Sequence, residues 1–332
     1  MKILITGATG FVGSHLTKAL LKSKRNHLIL LIRKSSKLTK IKDIIEKNKS
    51  RVDIIYGDLN DYSALLRATK GTDIVFHSAA MLGSPEINFR QIHEANVLGT
   101  KNLVEASELN KVKRFVHISS VAVYGPIKYT KDNPITETTK CNPLTDYDKT
   151  KFLSEVAVKK SSLEWTIIRP TMVFGPGETT NKAKMFQLIQ KGWFKIIGNG
   201  ENLMALVYID NLIDGIIKAS KSKKAVDETY VISDDHSYTM NQFIYTIAKH
   251  INVKKPVHIP YVIAATSVIG FKVLSLFGVP KLLSMDRIRS LTNHAEFSIA
   301  KAKSELKYNP KIDLDKGIKR TVDWYKKNKV LK

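Results

Sequence analysis

The sequence is poor in cysteine, in acidic residues and in long apolar runs. Cys141 is the single cysteine, so no disulfide can form within the chain, and a cytoplasmic, reducing compartment fits this composition. The longest apolar run starts at Ile259 and ends before Lys272, well short of the roughly 20 residues that span a bilayer. Met1 leads directly into the apolar run ILIT and a glycine turn, so we expect no signal peptide.

Basic residues dominate the charge, with 54 Lys and Arg against 30 Asp and Glu and a net charge of +24. Such a charge attracts anions, so phosphorylated cofactors, acidic membrane surfaces and nucleic acids are candidate partners. The lysines are scattered, as in IKDIIEKNKSR, and lack the aromatic interleaving or groove-fitting motif of nucleic-acid-binding proteins. We therefore interpret the excess as a solvated surface and expect no nucleic-acid partner.

Short β-branched runs alternate with segments of helical periodicity in the first half of the chain. This alternation predicts βαβ units and an α/β fold with a Rossmann-type, doubly wound parallel sheet. The predicted strands cover residues 2–6, 28–33, 53–56, 74–77, 115–119 and 166–169. The predicted helices cover residues 12–21, 62–69, 89–109 and 147–160.

The pattern changes after Pro170, where turn-rich pieces such as FGPGETT and IIGNGEN separate short elements. We predict a dinucleotide-binding domain over 1–170 and a smaller, mostly helical substrate lobe over 171–332. Two pieces of the lobe, 206–209 and 230–233, are typical of strands. We expect the segment 203–235 to return to the main sheet.

A glycine-rich segment, TGATGFVG, follows the first predicted strand and opens a helix. Glycines there permit a tight turn and a close approach of a pyrophosphate to the backbone, while the helix N-terminus attracts the phosphates. The position directly after the first strand favours this interpretation over a plain turn. The predicted cofactor-binding residues of the loop are Gly7, Thr9, Gly10, Phe11, Val12 and Gly13.

The second predicted strand ends at Arg33, where NAD-binding proteins usually carry an acid that holds the ribose 2′-hydroxyl. Arg33 and Lys34 would instead attract a 2′-phosphate, so we predict NADP as the cofactor, with NAD as the alternative. Arg33 could also simply lie against the adenine. Asp58 and Leu59, after the third predicted strand, are placed to meet the adenine edge.

Tyr147 and Lys151 lie four residues apart, on one face of a predicted helix. A tyrosine pKa near 10 must fall by about three units for proton transfer near neutrality, and a cation about 4 Å away in a partly shielded site supplies that order of energy. We expect Lys151 to lower the pKa of Tyr147 and to hold the nicotinamide ribose. Ser120, in HISSVAVYGP, would hydrogen-bond the substrate oxygen. No metal site is predicted.

These motifs, together with HSAA, ANVLGT and YDKTK in this order and spacing, resemble the extended short-chain dehydrogenase/reductase, or NAD-dependent epimerase/dehydratase, family. The resemblance implies that Asn96 supports the site through a water or backbone contact and that Ala79, Ala80 and Pro170 border the cofactor. For Asn96 and the two alanines the alternative is a structural role, in helix packing and at a small-residue strand end.

Two methionines bear on the substrate. Family members that act on nucleotide sugars typically have an asparagine where this chain has Met172, and an arginine where it has Met204. Apolar side chains in place of polar anchors favour an apolar small-molecule substrate over a diphosphate, because unpaired buried charge is costly.

The C-terminal half contains the segments YVISDDHSYTMNQFIYTIAKH, IPYVIAATSVIGFKVLSLFG and FSIAKAKSELKYNPKIDLDKGIKRTVDWY. Together they resemble the 3β-hydroxysteroid dehydrogenase branch, in which the apolar segment is associated with membranes or hydrophobic substrate entry. Here 259–280 would form a peripheral membrane contact, a dimer contact or part of the lobe. We expect a homodimer. That branch generally carries an acid where Arg33 stands, so the resemblance leaves the cofactor preference open.

The leading hypothesis is an NAD(P)-dependent oxidoreductase that interconverts a secondary alcohol and a ketone on a fairly apolar, sterol-like or related substrate. One alternative is a nucleotide-sugar epimerase or dehydratase with tightly held NAD. Another is a non-catalytic NAD(P)-binding sensor or membrane-surface protein, which would have no need for an activated phenol.

Overall fold

The computed structural model describes residues 1–83, 87–126, 134–274, 288 and 292–332. A seven-stranded sheet lies at its centre, in the order β11-β6-β5-β4-β1-β2-β3. All six strand pairs are parallel, which confirms the predicted doubly wound α/β fold. Its strands are β1 (Lys2–Thr6), β2 (His27–Ile32), β3 (Val52–Tyr56), β4 (Ile74–His77), β5 (Arg114–Ile118), β6 (Trp165–Pro170) and β11 (Glu228–Ile232).

Short strand pairs lie outside this sheet. They are formed by β7 (Met172–Phe174), β8 (Ile196–Ile197), β9 (Leu203–Met204), β10 (Leu206–Tyr208), β12 (Tyr238–Thr239) and β13 (His258–Ile259). The helices are α1 (Phe11–Leu20), α2 (Lys42–Glu46), α3 (Tyr62–Thr69), α4 (Phe89–His93), α5 (Gly99–Leu109), α6 (Asp146–Lys159), α7 (Asn181–Gln190), α8 (Ile209–Lys221), α9 (Met240–Ile251), α10 (Tyr261–Leu274), α11 (Ala300–Leu306) and α12 (Leu314–Lys327).

Both faces of the sheet are covered by helices, because alternate residues of each buried strand point to opposite faces. Leu4 packs on the side of α3 and α5, whereas Ile3 and Ile5 pack on the side of α1 and α8. The carboxyl ends of the parallel strands therefore share one edge, where ligands bind in open α/β sheets.

The predicted helix 89–109 is interrupted by a π-helical turn, Glu94–Leu98, between α4 and α5. A π-turn adds one residue to the helical repeat and is frequent at functional sites. Here the turn carries Asn96, which is buried.

Only one of the two lobe segments expected in the main sheet lies there. β11 pairs with β6, with Tyr230 opposite Ile168. β10 instead pairs with β7, with Leu206 opposite Met172. The Thr171 N–H still donates to the Ile232 carbonyl oxygen of β11, and the chain then continues into β7, which provides the partner strand for β10. Residues on both sides of position 170 thus build the main sheet, and the division into two domains at 170 stays a prediction.

The apolar segment 259–280 is described as far as Leu274, at the end of α10, and its remaining residues lie outside the described part of the chain. Tyr261, Val262 and Ile263 at the start of α10 are exposed. Among the residues described, no helix has the length and apolar character needed to cross a bilayer.

Candidate active site

The loop between β1 and α1 exposes backbone N–H groups at the carboxyl edge of the sheet. Gly7 has φ +73°, and a Cβ there would lie 2.6 Å from the backbone nitrogen of Ala79. A Cβ at Gly13 would lie 2.1 Å from the carbonyl oxygen of Gly7. Glycine is therefore required at both positions. α1 starts directly after Gly10 with no acid in its first turn, so its free N–H groups favour a phosphate.

A cleft of about 470 Å³ opens beside this loop, a volume typical of small-molecule sites. Many of the predicted cofactor residues line the cleft: Gly7, Thr9, Gly10, Arg33, Asp58, Leu59, Ala79 and Ala80. The predicted cofactor residues Phe11, Val12, Gly13, Lys34, Lys151 and Pro170 lie outside this lining, as do the predicted catalytic residues Tyr147 and Ser120. The loop, the helix N-terminus and the cleft together fit a dinucleotide, because the N-terminus of α1 and the cleft meet at the carboxyl edge of the sheet.

Residues that the sequence analysis did not single out complete the cleft, among them Ser36, Asn60, Ser78 and Glu94. Ser36 and Asn60 follow the carboxyl ends of β2 and β3, and that position could have identified them. Asp58 is held in its turn, since its Oδ1 accepts hydrogen bonds from the backbone N–H groups of Asn60 (2.8 Å) and Asp61 (3.1 Å).

A capping box fixes the first turn of α6, which carries Tyr147. The Thr145 hydroxyl accepts a hydrogen bond from the Asp148 backbone N–H at 3.2 Å, and the Asp148 carboxylate accepts one from the Thr145 N–H at 3.0 Å. Both orphan donors are satisfied reciprocally, so the helix begins at a defined residue. The position of Tyr147 follows from this start.

Lys151 lies one turn further along α6 and is buried. Its Nζ donates a hydrogen bond to the carbonyl oxygen of Ile118 at 2.7 Å, which places the amine at the carboxyl end of β5. Burial lowers the pKa of Lys151 to about 8, and the carboxylate of Glu155 opposes that effect. Ser120 follows two residues after Ile118 and begins the turn Val121–Tyr124.

The expected lowering of the Tyr147 pKa by Lys151 is not found in the protein alone. Burial raises the pKa of Tyr147 to about 12, and the neighbouring Asp148 carboxylate adds to the effect because it repels a phenolate. The Lys151 ammonium is instead engaged by the Ile118 carbonyl. The phenol is thus protonated at neutral pH.

Asn96 connects the cleft to the helix that carries Tyr147. Its side-chain oxygen accepts a hydrogen bond from the Met81 N–H (2.7 Å), and its amide donates to the Met81 carbonyl (3.0 Å) and to the Thr150 hydroxyl (3.0 Å). Met81 lines the cleft and Thr150 precedes Lys151. Asn96 therefore links Met81 of the cleft lining to α6, and its supporting role in the site stays a prediction.

Two buried histidines lie beneath the site, and the sequence analysis did not identify them. His77 hydrogen-bonds Thr6 Oγ1 through Nδ1 (2.7 Å) and Thr100 Oγ1 through Nε2 (2.9 Å). His117 lies beside it, with ring centroids 5.2 Å apart. Burial and the nearby charge of Lys151 lower both pKa values, that of His77 to about 3. Both rings are neutral at neutral pH.

The two methionines considered for substrate contact lie on neighbouring segments. The Met172 N–H donates to the carbonyl oxygen of Ala205 at 3.2 Å, and Met204 precedes Ala205. Met172 is 38% exposed, whereas Met204 is 9% exposed and packs in the core. Only Met172 has substantial surface for a ligand.

A parallel sheet with a glycine loop at its switch point, and a Tyr-x-x-x-Lys helix packed against the adjacent strand ends, define a dinucleotide-binding enzyme of the extended short-chain dehydrogenase/reductase type. Residues 3–233 match the model of the NAD dependent epimerase/dehydratase family, and the chain belongs to that family.

Relatives with different activities cover nearly the whole chain. UDP-glucose 4-epimerase of Vibrio cholerae is 32% identical over 96% of this chain and 94% of its own length. The 3beta-hydroxysteroid-dehydrogenase/decarboxylase isoform 1 of Arabidopsis thaliana is 26% identical over 96% of this chain and 78% of its own. The crystal structure of UDP-glucuronic acid 4-epimerase from Bacillus cereus in complex with NAD has a TM-score of 0.77, with 26% identity and 99% coverage of both chains.

Proposed function

We propose that this enzyme interconverts a secondary alcohol and a ketone with NAD(P), on a fairly apolar substrate. The observation that carries the proposal is the hydrogen bond from Lys151 to Ile118, which holds the Tyr147 helix against the strand end that leads into Ser120. In this proposal the proton donor Tyr147, the cation of Lys151 and the hydroxyl of Ser120 act together at the carboxyl end of β5. This is the set that carbonyl chemistry requires.

The residues have separate roles in this proposal. The bound dinucleotide, held by the glycine loop and the cleft, supplies the two-electron exchange. Tyr147, protonated because of its raised pKa, donates its proton to the substrate oxygen in the direction of ketone reduction. The Ser120 hydroxyl accepts a hydrogen bond from the Ala122 N–H at 3.1 Å. Its own hydrogen has no acceptor among the described residues and in this proposal orients the same oxygen.

A test of the chemistry uses the purified protein with NADPH or NADH and a panel of ketones that includes 2-decanone, followed by absorbance of the reduced cofactor. Tyr147→Phe should abolish turnover, because the phenol donates the proton. NADPH should still bind with unchanged affinity, because the phenol is not part of the dinucleotide cleft. Retained turnover in Tyr147→Phe would remove the proposed role of Tyr147.

We further propose NADP as the preferred cofactor. Arg33 supports this, because it is exposed, lies at the end of β2 and lines the cleft, where an acid would repel a 2′-phosphate. The gain from a charge-assisted hydrogen bond is about 1.5–3 kcal/mol, or roughly tenfold to a hundredfold in affinity. Titration calorimetry should show tighter binding of NADPH than NADH, and Arg33→Asp should narrow or reverse the difference. Equal affinities in the parent protein would contradict the preference.

The second candidate is a nucleotide-sugar epimerase, favoured by the identity to the V. cholerae enzyme. An epimerase returns its cofactor to the starting state in each cycle and retains it. Acid extraction of the purified protein, followed by chromatography, measures the retained cofactor. Stoichiometric bound NAD together with conversion of UDP-glucose would replace the oxidoreductase proposal by this one.

We also propose a peripheral membrane contact at an apolar patch that includes the start of α10. β8 pairs with β13, which brings the α7–β8 connection next to the residues before α10. The exposed residues of the apolar patch are Trp193, Val257, Tyr261, Val262 and Ile263. Trp193 is 70% exposed and Val262 is 69% exposed. Exposed apolar side chains that lie together mark a surface that binds a membrane or another protein. The homodimer stays a prediction.

A further inference from the structure

A fully buried carboxylate, that of Glu155, lies one helical turn beyond Lys151 on α6. The chemistry proposed above does not use it. Its Oε1 accepts hydrogen bonds from the Ser119 hydroxyl (2.5 Å) and from Arg169 Nε (2.9 Å), and its Oε2 accepts one from Arg169 Nη2 (2.6 Å). One carboxylate therefore contacts the end of β5 and the end of β6 at the same time.

Arg169 extends this network to the turn that follows Ser120. Its Nη1 donates to the Tyr124 hydroxyl at 2.8 Å, and the guanidinium lies 4.8 Å from the centroid of the Tyr124 ring. Tyr124 closes the turn Val121–Tyr124. Ser120 is thus held from both sides, by Ser119 before it and by the turn after it.

A buried ion pair contributes little net stability, because removing both charges from water costs free energy. The Arg169 and Glu155 side chains are 3% and 1% exposed, so both charged groups are removed from solvent. An apolar pair of similar volume is often at least as stable in such a place. A bidentate pair of arginine and carboxylate, however, fixes the relative position of the two side chains, which an apolar pair would not do.

We infer that Glu155 is a positioning residue, which ties α6 to the carboxyl ends of β5 and β6 and so fixes Tyr147 and Lys151 relative to Ser120. This inference rests on the proposed function for its kinetic consequence. The carboxylate has a second effect, since it opposes the lowering of the Lys151 pKa by burial. His77 and His117, which also face this region, are neutral and contribute no charge at neutral pH.

The decisive variant replaces both charges, because Glu155→Gln alone leaves the Arg169 charge buried without its partner and the chain then risks unfolding. The double variant Glu155→Met/Arg169→Met keeps the volume and removes the bidentate contact. Arg114→Met is the matched control. Arg114 is equally buried but lies at the opposite end of β5, where its Nη2 donates to Thr166 Oγ1 at 2.7 Å.

The kinetic measurement uses 2-decanone and NADPH over a range of pH. In the double variant kcat should fall about tenfold to a hundredfold, because a misplacement of about 1 Å is enough for such a loss. The dissociation constant of NADPH, measured by fluorescence, should change much less than kcat, since the glycine loop and the cleft are untouched and only the contact of Lys151 with the nicotinamide ribose is affected. The fall in rate on the alkaline side should move to lower pH, because Lys151 loses the carboxylate that favours its charged form.

A second measurement needs no turnover. Hydrogen exchange of the segment 119–125, followed by mass spectrometry in the cofactor-free protein, should become faster in the double variant. The melting temperature of the double variant should fall, because the buried hydroxyls of Ser119 and Tyr124 lose their partners, so its exchange is compared with that of a control of lowered melting temperature. Arg114→Met should lower the melting temperature but leave both the exchange of this segment and kcat as in the parent.

Two results would overturn the inference. One is a folded double variant in which the segment 119–125 exchanges hydrogen at the rate of the parent protein. The other is a double variant with the kcat of the parent protein, in which the rate falls at the same alkaline pH. If the parent protein turns over none of the ketones, the proposed function fails, and faster exchange in the double variant still supports the positioning role of Glu155.

Discussion

Two histidines occupy opposed positions on the neighbouring strands β4 and β5, yet their hydrogen bonding differs. Both ring nitrogens of His77 have threonine partners. In the described part of the chain, neither ring nitrogen of His117 has one. A buried polar group without a partner costs about 1–3 kcal/mol. His117→Phe should therefore leave the free energy of unfolding unchanged or raise it by about 1 kcal/mol, measured by urea titration.

His77→Phe is the matched control for this prediction, with the same change in the same layer of the core. It should lower the free energy of unfolding by about 1–3 kcal/mol, because Thr6 and Thr100 lose their partner. Equal losses in the two variants would show that His117 is as well satisfied in solution as His77.

At the scale of residues, sequence predicts a contact when both members belong to one local pattern. The glycine loop and the pair Tyr147 and Lys151 are such patterns, because a strand–turn–helix junction and a helical repeat fix their geometry. Glu155 and Ser119 are 36 positions apart and meet only through the packing of α6 on β5. No local spacing predicts the contact between Glu155 and Ser119. The raised pKa of Tyr147 could not be predicted either, because it depends on burial.

At the scale of elements, capping offers a direct test of how α6 positions Tyr147. Thr145 caps α6 and Thr239 caps α9, each in a complete capping box. Replacement of either threonine by alanine should lower the free energy of unfolding by about 1 kcal/mol. Only Thr145→Ala should also lower kcat, because α6 carries the proton donor. Urea titration and steady-state kinetics on both variants measure the two effects.

A similar loss of kcat in Thr239→Ala would mean that general destabilisation, rather than the start of α6, controls the rate. Unchanged kcat in both variants would show that packing against β5 alone positions Tyr147.

Most strands and helices of the first half could be predicted because their periodicities differ sharply and their ends carry glycine or polar caps. The short helix α2 was missed, because five residues are too few to show a helical period. The π-turn Glu94–Leu98 could not, since its apolar spacing continues that of α4 and α5, and the partners of Asn96 on this turn, Met81 and Thr150, are distant in sequence. The pairing of β10 with β7 was missed for a related reason. Strand partners depend on tertiary packing, whereas strand residues depend on local sequence.

At the scale of the whole molecule, the net charge of +24 is unevenly distributed along the chain. No Asp or Glu occurs between Glu178 and Glu201, nor between Asp235 and Asp286. The apolar patch lies within these two segments. Four exposed lysines accompany it, Lys191, Lys195, Lys254 and Lys255. Apolar and aromatic side chains with adjacent lysines are typical of a surface that binds an anionic bilayer.

We therefore expect the protein to co-sediment with vesicles of phosphatidylcholine and 30% phosphatidylserine, and less with phosphatidylcholine alone. Replacement of the four lysines by glutamine should weaken partitioning by up to about a thousandfold, because each lysine near the surface contributes about 1 kcal/mol. Trp193→Ser should weaken it as well. The charge-matched control replaces Lys22, Lys24, Lys101 and Lys223, which are exposed elsewhere, and Leu109→Ser, at a residue that is 64% exposed, is the apolar control.

The two sets of lysine variants separate a local surface from a general attraction, because both lower the net charge by the same amount. Parental binding in the control set, with loss in the patch set, assigns the interaction to the apolar patch. Equal loss in both would assign it to the net charge of the molecule and contradict the patch. A different outcome is that the parent protein does not bind vesicles and that Trp193→Ser converts a dimer to a monomer in sedimentation equilibrium. The apolar patch would then join two copies of the chain, and the proposed membrane contact would be wrong.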